Sequence, residues 1–141
     1  MPGFFASQGL FIQGITNIWG REVLAAVERG ATIVDVREEF ETVMKTFDVP
    51  NVIYMPTSSF KEAFEQLPRD RPLILADAVG TRSKDAVTFL MEKGFQEVAN
   101  LTGGIVDWER EGMPTRIDPE ELWVGGCACR LRPRKDFLPQ K

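Results

Sequence analysis

Four short apolar runs punctuate the chain, and the segments between them repeat their apolar residues at helical spacing. The runs are ATIVDV (residues 31–36), NVIYMP (51–56), RPLILA (71–76) and QEVANL (96–101). The first two are β-branched runs of the kind that a sheet buries on both faces. Ahead of them, REVLAAVERG places Val23, Leu24 and Val27 on one side and ends on Gly30, predicting a helix with a glycine stop. In SSFKEAFEQLP, Ser59 and Glu62 form a capping-box pattern before a helix carrying Phe60, Phe64 and Leu67 on one face. RSKDAVTFLMEKG predicts a helix with Ala86, Phe89 and Leu90 inward and Gly94 as its stop. A short helix, IVDWEREG, follows Gly103-Gly104, with Ile105 and Trp108 on its inner face.

Strands that alternate with helices predict an α/β domain: a mainly parallel central sheet flanked by helices on both faces. Residues 1–14 are expected to be a loose N-terminal segment, 15–115 the folded domain and 116–141 a C-terminal tail, with Pro114 near the boundary and ELWV (121–124) as an extra strand. At 141 residues one domain is expected.

Charge changes this picture at one end. The net charge is -4, which does not suggest nucleic acid or an anionic membrane as a partner. From Cys127 onward, however, Arg130, Arg132, Arg134, Lys135 and Lys141 outnumber Asp136 by four, so residues 1–126 carry about -8. A basic tail follows an acidic body. No run approaches the roughly 18 apolar residues of a membrane span, and the opening lacks a basic n-region, so a cytoplasmic protein is expected. Without any histidine, imidazole triads and imidazole metal sites are excluded. No cofactor and no resident metal are expected.

The candidate chemistry lies in two places. The first is DAVGTR: Asp77, Ala78, Val79, Gly80, Thr81 and Arg82, joining a strand to a helix. Such a turn aims several main-chain N–H groups at one point, and the helix N-terminus adds partial positive charge, making an anion cradle. Gly80 permits a left-handed turn, and Arg82 can fix the loop or meet an anion bidentately. Thr81 and Ser83 carry hydroxyls with no base to activate them, so helix capping is their expected role. Asp77 has two readings. Its carboxylate anchors the loop by accepting the amides a bound anion would otherwise take, or it works with Asp35 as a carboxylate phosphotransfer centre holding Mg²⁺.

Three segments in order, IVDVREEFE (33–41), VGTRSKDAVTFLMEKGF (79–95) and VANLTGGIVDWEREGMP (98–114), resemble the rhodanese-like domains of the sulfurtransferase superfamily over roughly residues 15–115. The resemblance implies a rhodanese-like fold, a scaffold role for Asp35 beside Arg37, and a loop whose first residue is a cysteine that carries sulfur as a persulfide. Here that position is Asp77, and a carboxylate oxygen does not hold a transferable sulfane sulfur. The ordinary thiosulfate sulfurtransferase reaction is therefore not expected from this loop. The family's Gly-His-Ile-Pro-Gly-like stretch is also replaced, by KTFDVPNVIYMP, and the longer cysteine loop of the fold's phosphatases is missing.

The second place is GGCACRLRPRK. Cys127 and Cys129 are the only cysteines, and the neighbouring guanidinium groups favour thiolate over thiol. They read either as small apolar residues of an incidental tail or as a thiol pair for redox, soft-metal or persulfide chemistry. Two functions follow for the chain. It is a binding or regulatory module in sulfur or thiol metabolism, or a sulfur-transfer or redox protein working through Cys127 and Cys129. The expected counterparts are a protein partner, a sulfur donor or acceptor, and a small anion at the loop. Trp123 reads as a pin holding the tail or as a partner contact.

Overall fold

In the computed structural model, residues 4, 5 and 9–117 are described. The sheet is built around four parallel strands that coincide with apolar runs: β3 (Thr32–Asp35), β5 (Val52–Tyr54), β6 (Leu73–Ala76) and β7 (Val98–Leu101). Two further strands extend it, β1 (Leu10–Ile12) and β2 (Ile15–Ile18), so the order is β1-β2-β7-β6-β3-β5. Within this six-stranded sheet, among the described residues, only the β1–β2 pair is antiparallel. Thus Leu10–Ile12, in the stretch expected to be loose, is a strand. Gln13 and Gly14 both adopt positive φ, the conformation that a two-residue hairpin turn requires, and this turn folds β1 back onto β2.

Helices cover both faces, as expected. On one, α1 (Gly20–Glu28) and α5 (Gly104–Arg110) bury Val23, Ala26, Val27, Ile105 and Trp108 against Ile18, Ile33, Ile74 and Leu101. On the other, α3 (Thr57–Ala63), a following 3-10 turn (Phe64–Gln66) and α4 (Arg82–Glu92) bury Phe60, Phe64, Ala86, Val87 and Leu90 against Val34, Leu73 and Leu75. Strands β3 and β6 are buried at every position because alternate side chains meet these two cores. The NVIYMP run differs from expectation. As β5 it lies at the sheet edge, where Val52 and Ile53 are half-buried and Tyr54 is 50% exposed.

Two other elements differ from the sequence reading. Helix α3 starts at Thr57 and has no Ser59–Glu62 capping box; instead the Glu38 carboxylate accepts the Ser58 N–H at 3.0 Å and the Thr57 and Ser58 hydroxyls at 2.9 Å. A group brought by the fold supplies the cap. Past Pro114 the chain does not leave the domain at once: β8 (Thr115–Ile117) pairs antiparallel with β4 (Lys45–Phe47). Between β3 and β4 lies the one-turn α2 (Glu39–Thr42). The ELWV segment, Trp123 and the Cys127–Cys129 pair lie outside the described residues. Among the described residues no helix is long and apolar enough to cross a membrane.

Candidate functional site

Strand β6 delivers Asp77 to the carboxyl end of the parallel sheet, where α/β folds place their ligands. The backbone then turns through Gly80, at φ +94°, and enters α4 at Arg82. A Cβ at Gly80 would stand 2.9 Å from the Gly103 nitrogen, so the close approach as well as the dihedral calls for glycine. Gly104 does the same from the other side: a Cβ there would collide with the Ala78 carbonyl. With neither Cβ present, the Ile105 N–H donates to Asp77 O at 2.9 Å and the Val106 N–H to Ala78 O at 3.1 Å. Gly103-Gly104 is therefore the close-packing turn its sequence suggests, and the loop is clamped onto α5.

Inside the loop the Asp77 side chain is fully buried. Its Oδ1 accepts the Gly80 N–H, and its Oδ2 accepts the Arg82 N–H at 2.8 Å. The Arg82 Nε lies 3.4 Å from the same Oδ2. The carboxylate thus occupies the convergence point of the loop amides, and it caps the first turn of α4. Thr81 and Ser83 do not fill that capping role, because Thr81 makes no side-chain cap and Ser83 turns into the core.

Arg82 is fixed as well. Its guanidinium makes a two-pronged pair with Glu41 on α2, Nη1 to Oε1 at 3.1 Å and Nη2 to Oε2 at 3.0 Å. These hydrogen bonds hold the Glu41 carboxyl below its ordinary pKa of 4.5 and raise that of Arg82. The Ser58 and Thr57 hydroxyls likewise lower the pKa of Glu38. Glu41 lies in the EEFE part of the segment that matches the family, but only the fold shows that it answers Arg82.

Asp35 is engaged by Arg37. Buried at the end of β3, it meets Arg37 through Nη2–Oδ2 at 2.8 Å and Nε–Oδ1 at 3.0 Å, and accepts the Arg37 main-chain N–H at 3.1 Å. Arg37 also donates to the Glu41 and Lys45 carbonyls at 3.3 and 2.8 Å. Both Asp35 oxygens are committed to this brace, which ties β3 to α2 and β4. Among the described residues no cluster of three potential metal ligands occurs.

One feature was not anticipated. Behind the loop, Ser83 Oγ donates to Asn100 Oδ1 and lies 3.3 Å from Asp77 Oδ1. Asn100 Nδ2 donates to Asn17 Oδ1 at 3.1 Å, and Asn17 Nδ2 to the Ile15 carbonyl at 3.0 Å. The two asparagines are register partners across β2 and β7. Because a carbonyl only accepts, Ile15 O orients Asn17, Asn17 orients Asn100, and Asn100 takes the single Ser83 proton. The visible signal was a polar residue inside the apolar run VANL.

A strand–turn–helix cradle at the carboxyl edge of a mainly parallel sheet, filled by its own Asp77 and braced by Asp35–Arg37 and Arg82–Glu41, defines an α/β protein. The comparisons with known proteins are narrower. Residues 21–111 match the rhodanese-like domain, and the chain belongs to that family. It is 32% identical over 88 residues to a sulfurtransferase of Allochromatium vinosum, covering 62% of this chain and 79% of that one. It is 27% identical over 85 residues to the thiosulfate sulfurtransferase GlpE of Actinobacillus pleuropneumoniae, covering 60% and 77%. A rhodanese-related protein from Thermoplasma volcanium superposes with a TM-score of 0.65 at 32% identity, over 71% of this chain and 96% of that chain.

Proposed function

We propose that this chain is a rhodanese-like module whose loop binds and presents rather than carries sulfur, acting as a binding or regulatory domain in sulfur or thiol metabolism. The observation that carries this reading is the position of Asp77. Its two oxygens satisfy the Gly80 and Arg82 amides from within, so the cradle already holds a negative charge. A covalent sulfur acceptor at that point would need a thiolate, and none is there. The exposed Val79 at the loop tip offers contact surface for a protein partner.

The second reading, sulfur transfer or thiol redox chemistry through Cys127 and Cys129, is supported by the place of β8 beside β4. Ile117 pairs with Lys45, whose carbonyl is held by Arg37, and Glu41 of the adjoining α2 holds Arg82. Cys127 follows Ile117 by ten residues. Ten residues span at most roughly 33–36 Å, enough to cross the face of a domain this size.

Incubating the reduced full chain with thiosulfate, followed by intact-mass and peptide mapping, separates the two. No added sulfur, with both thiols open to alkylation, is the expected result. A sulfur atom on Cys127 or Cys129 overturns the binding-module reading and makes the tail the nucleophile.

A further inference from the structure

Among the described residues, large apolar side chains are exposed at consecutive positions only in β1: Leu10 at 53%, Phe11 at 73% and Ile12 at 48%. This strand forms one edge of the six-stranded sheet, and among the described residues no strand pairs with its outer side. Natural sheets guard such edges with proline, lysine or a bulge. The opposite edge is guarded, since Pro50 and Pro56 bracket β5. Residues 1–20 hold no charged side chain, and β1 holds no proline.

The register shows which groups face outward. The two-residue turn Gln13-Gly14 makes Ile12 and Ile15 the hydrogen-bonded pair that closes the hairpin. Bonded and non-bonded pairs alternate along an antiparallel ladder, so Leu10 is bonded to Asn17 and Phe11 is not bonded to Thr16. Phe11, in the middle of the strand, therefore turns both its N–H and its C=O to the open edge. Leu10 and Ile12 project from one face of the sheet and Phe11 from the other.

We propose that a second copy of this chain pairs with β1 antiparallel to itself, about a two-fold axis at Phe11, joining the two sheets into one. A three-residue strand whose central residue faces outward is self-complementary under that axis. Phe11 exchanges two main-chain hydrogen bonds with Phe11 of the partner subunit, and Leu10 stands opposite Ile12 of the partner subunit, so every cross-strand pair is apolar. Charge sets the direction. Near one end of the strand the Glu22 carboxylate accepts the Gly9 N–H at 2.9 Å, and near the other Lys84 borders a recess with Ile12 and Gln13. Antiparallel approach sets the acidic end of each copy toward the basic end of the other, whereas parallel approach sets like ends together. Area sets the strength. Three side chains on each copy cover less than the roughly 1,200 Å² at which standard interfaces begin, so the dimer is weak and concentration-dependent. This pairing does not depend on the reading given to the loop.

Sedimentation velocity of the full chain from about 10 μM to about 1 mM tests it, because a weak interface dissociates within that range. A shift from monomer toward dimer is expected. Phe11→Lys sets two like charges opposite each other at the axis and is expected to weaken association by about tenfold or more. Phe11 is exposed, so the melting temperature of that variant at low concentration should match wild type. Phe11→Cys, in a chain also carrying Cys127→Ser and Cys129→Ser, tests the register: bonded partners stand about 5.5 Å apart at Cα, within disulfide reach. Mild oxidation is expected to cross-link that variant and to leave Val106→Cys, also at an exposed position, uncross-linked in the same background. A monomer at every concentration overturns the proposal and leaves the edge to a strand of another protein. So does a dimer indifferent to Phe11→Lys, or one that gives no cross-link through Phe11→Cys.

Discussion

Asp77 Oδ2 accepts the main-chain N–H of Arg82 at 2.8 Å, while the guanidinium of the same arginine keeps its Nε 3.4 Å from that oxygen and turns its two Nη groups to Glu41 on another element. One residue therefore closes the loop through its backbone and braces it through its side chain. Glu41 in turn accepts the Glu38 N–H at 2.9 Å, and Glu38 caps α3, so the loop is linked through α2 to the far helix. The loop is held as a rigid object from two sides, by this chain of pairs and by the clamp of α5.

Asp77→Ala removes the acceptor for the Gly80 and Arg82 amides in a buried place. Each donor left unsatisfied costs about 1–3 kcal/mol. Urea denaturation is expected to show a loss on the order of 2–4 kcal/mol. Asp77→Cys, whose thiolate can take the same amides, is expected to lose less and to gain thiosulfate-to-cyanide sulfur transfer, read as thiocyanate release. An equal loss for Cys and Ala would show that the amides do not converge on this side chain.

Glu41→Gln addresses the pH dependence. Arg82 depresses the Glu41 pKa below 4.5 in the folded state. A depressed carboxyl contributes stability that is present above its unfolded pKa and is lost as pH falls through the folded one. Wild type should melt higher than Glu41→Gln at pH 7, by on the order of a few degrees, and the gap should close as the pH is lowered below about 4.5. Thermal melts of both proteins across this range check it. A gap that persists to the acid end would assign the stabilisation to packing rather than to the ion pair.

Gly104→Ala tests the clamp. The added Cβ falls on the Ala78 carbonyl in a backbone with φ +60°, so the loop must retreat or α5 must shift. A loss of roughly 1–3 kcal/mol is expected from chemical denaturation. When combined with Asp77→Cys, the same change should abolish the gained sulfur transfer while the chain still folds. Retained transfer would mean that α5 does not position the loop.

Much of this architecture was legible along the chain because its causes are local. Strand β3 announces itself as an apolar run too short and too β-branched for a helix, β6 and β7 as apolar runs too short for one, and α4 is bounded by a turn glycine and Gly94. Strand β1 was illegible for the opposite reason. Leu10, Phe11 and Ile12 are all exposed on an edge strand, so no alternation or burial pattern marks them, and the strand exists because the Gln13-Gly14 turn lays it against β2. Strands β4 and β8 form a two-stranded sheet of their own, pairing across about seventy residues of chain.

The sequence by itself determined the alternation of strands and helices, the family and the aspartate at the head of the loop, since these are properties of residue type and near-neighbour spacing. Only the tertiary structure decided who answers whom. Glu41 and Arg82 are paired across 41 positions, Asn17 and Asn100 across 83, and Glu38 caps a helix 20 residues away. Such partners carry no mark in the chain, because a hydrogen bond is set by distance and direction in space, and the parallel sheet is what brings these groups together.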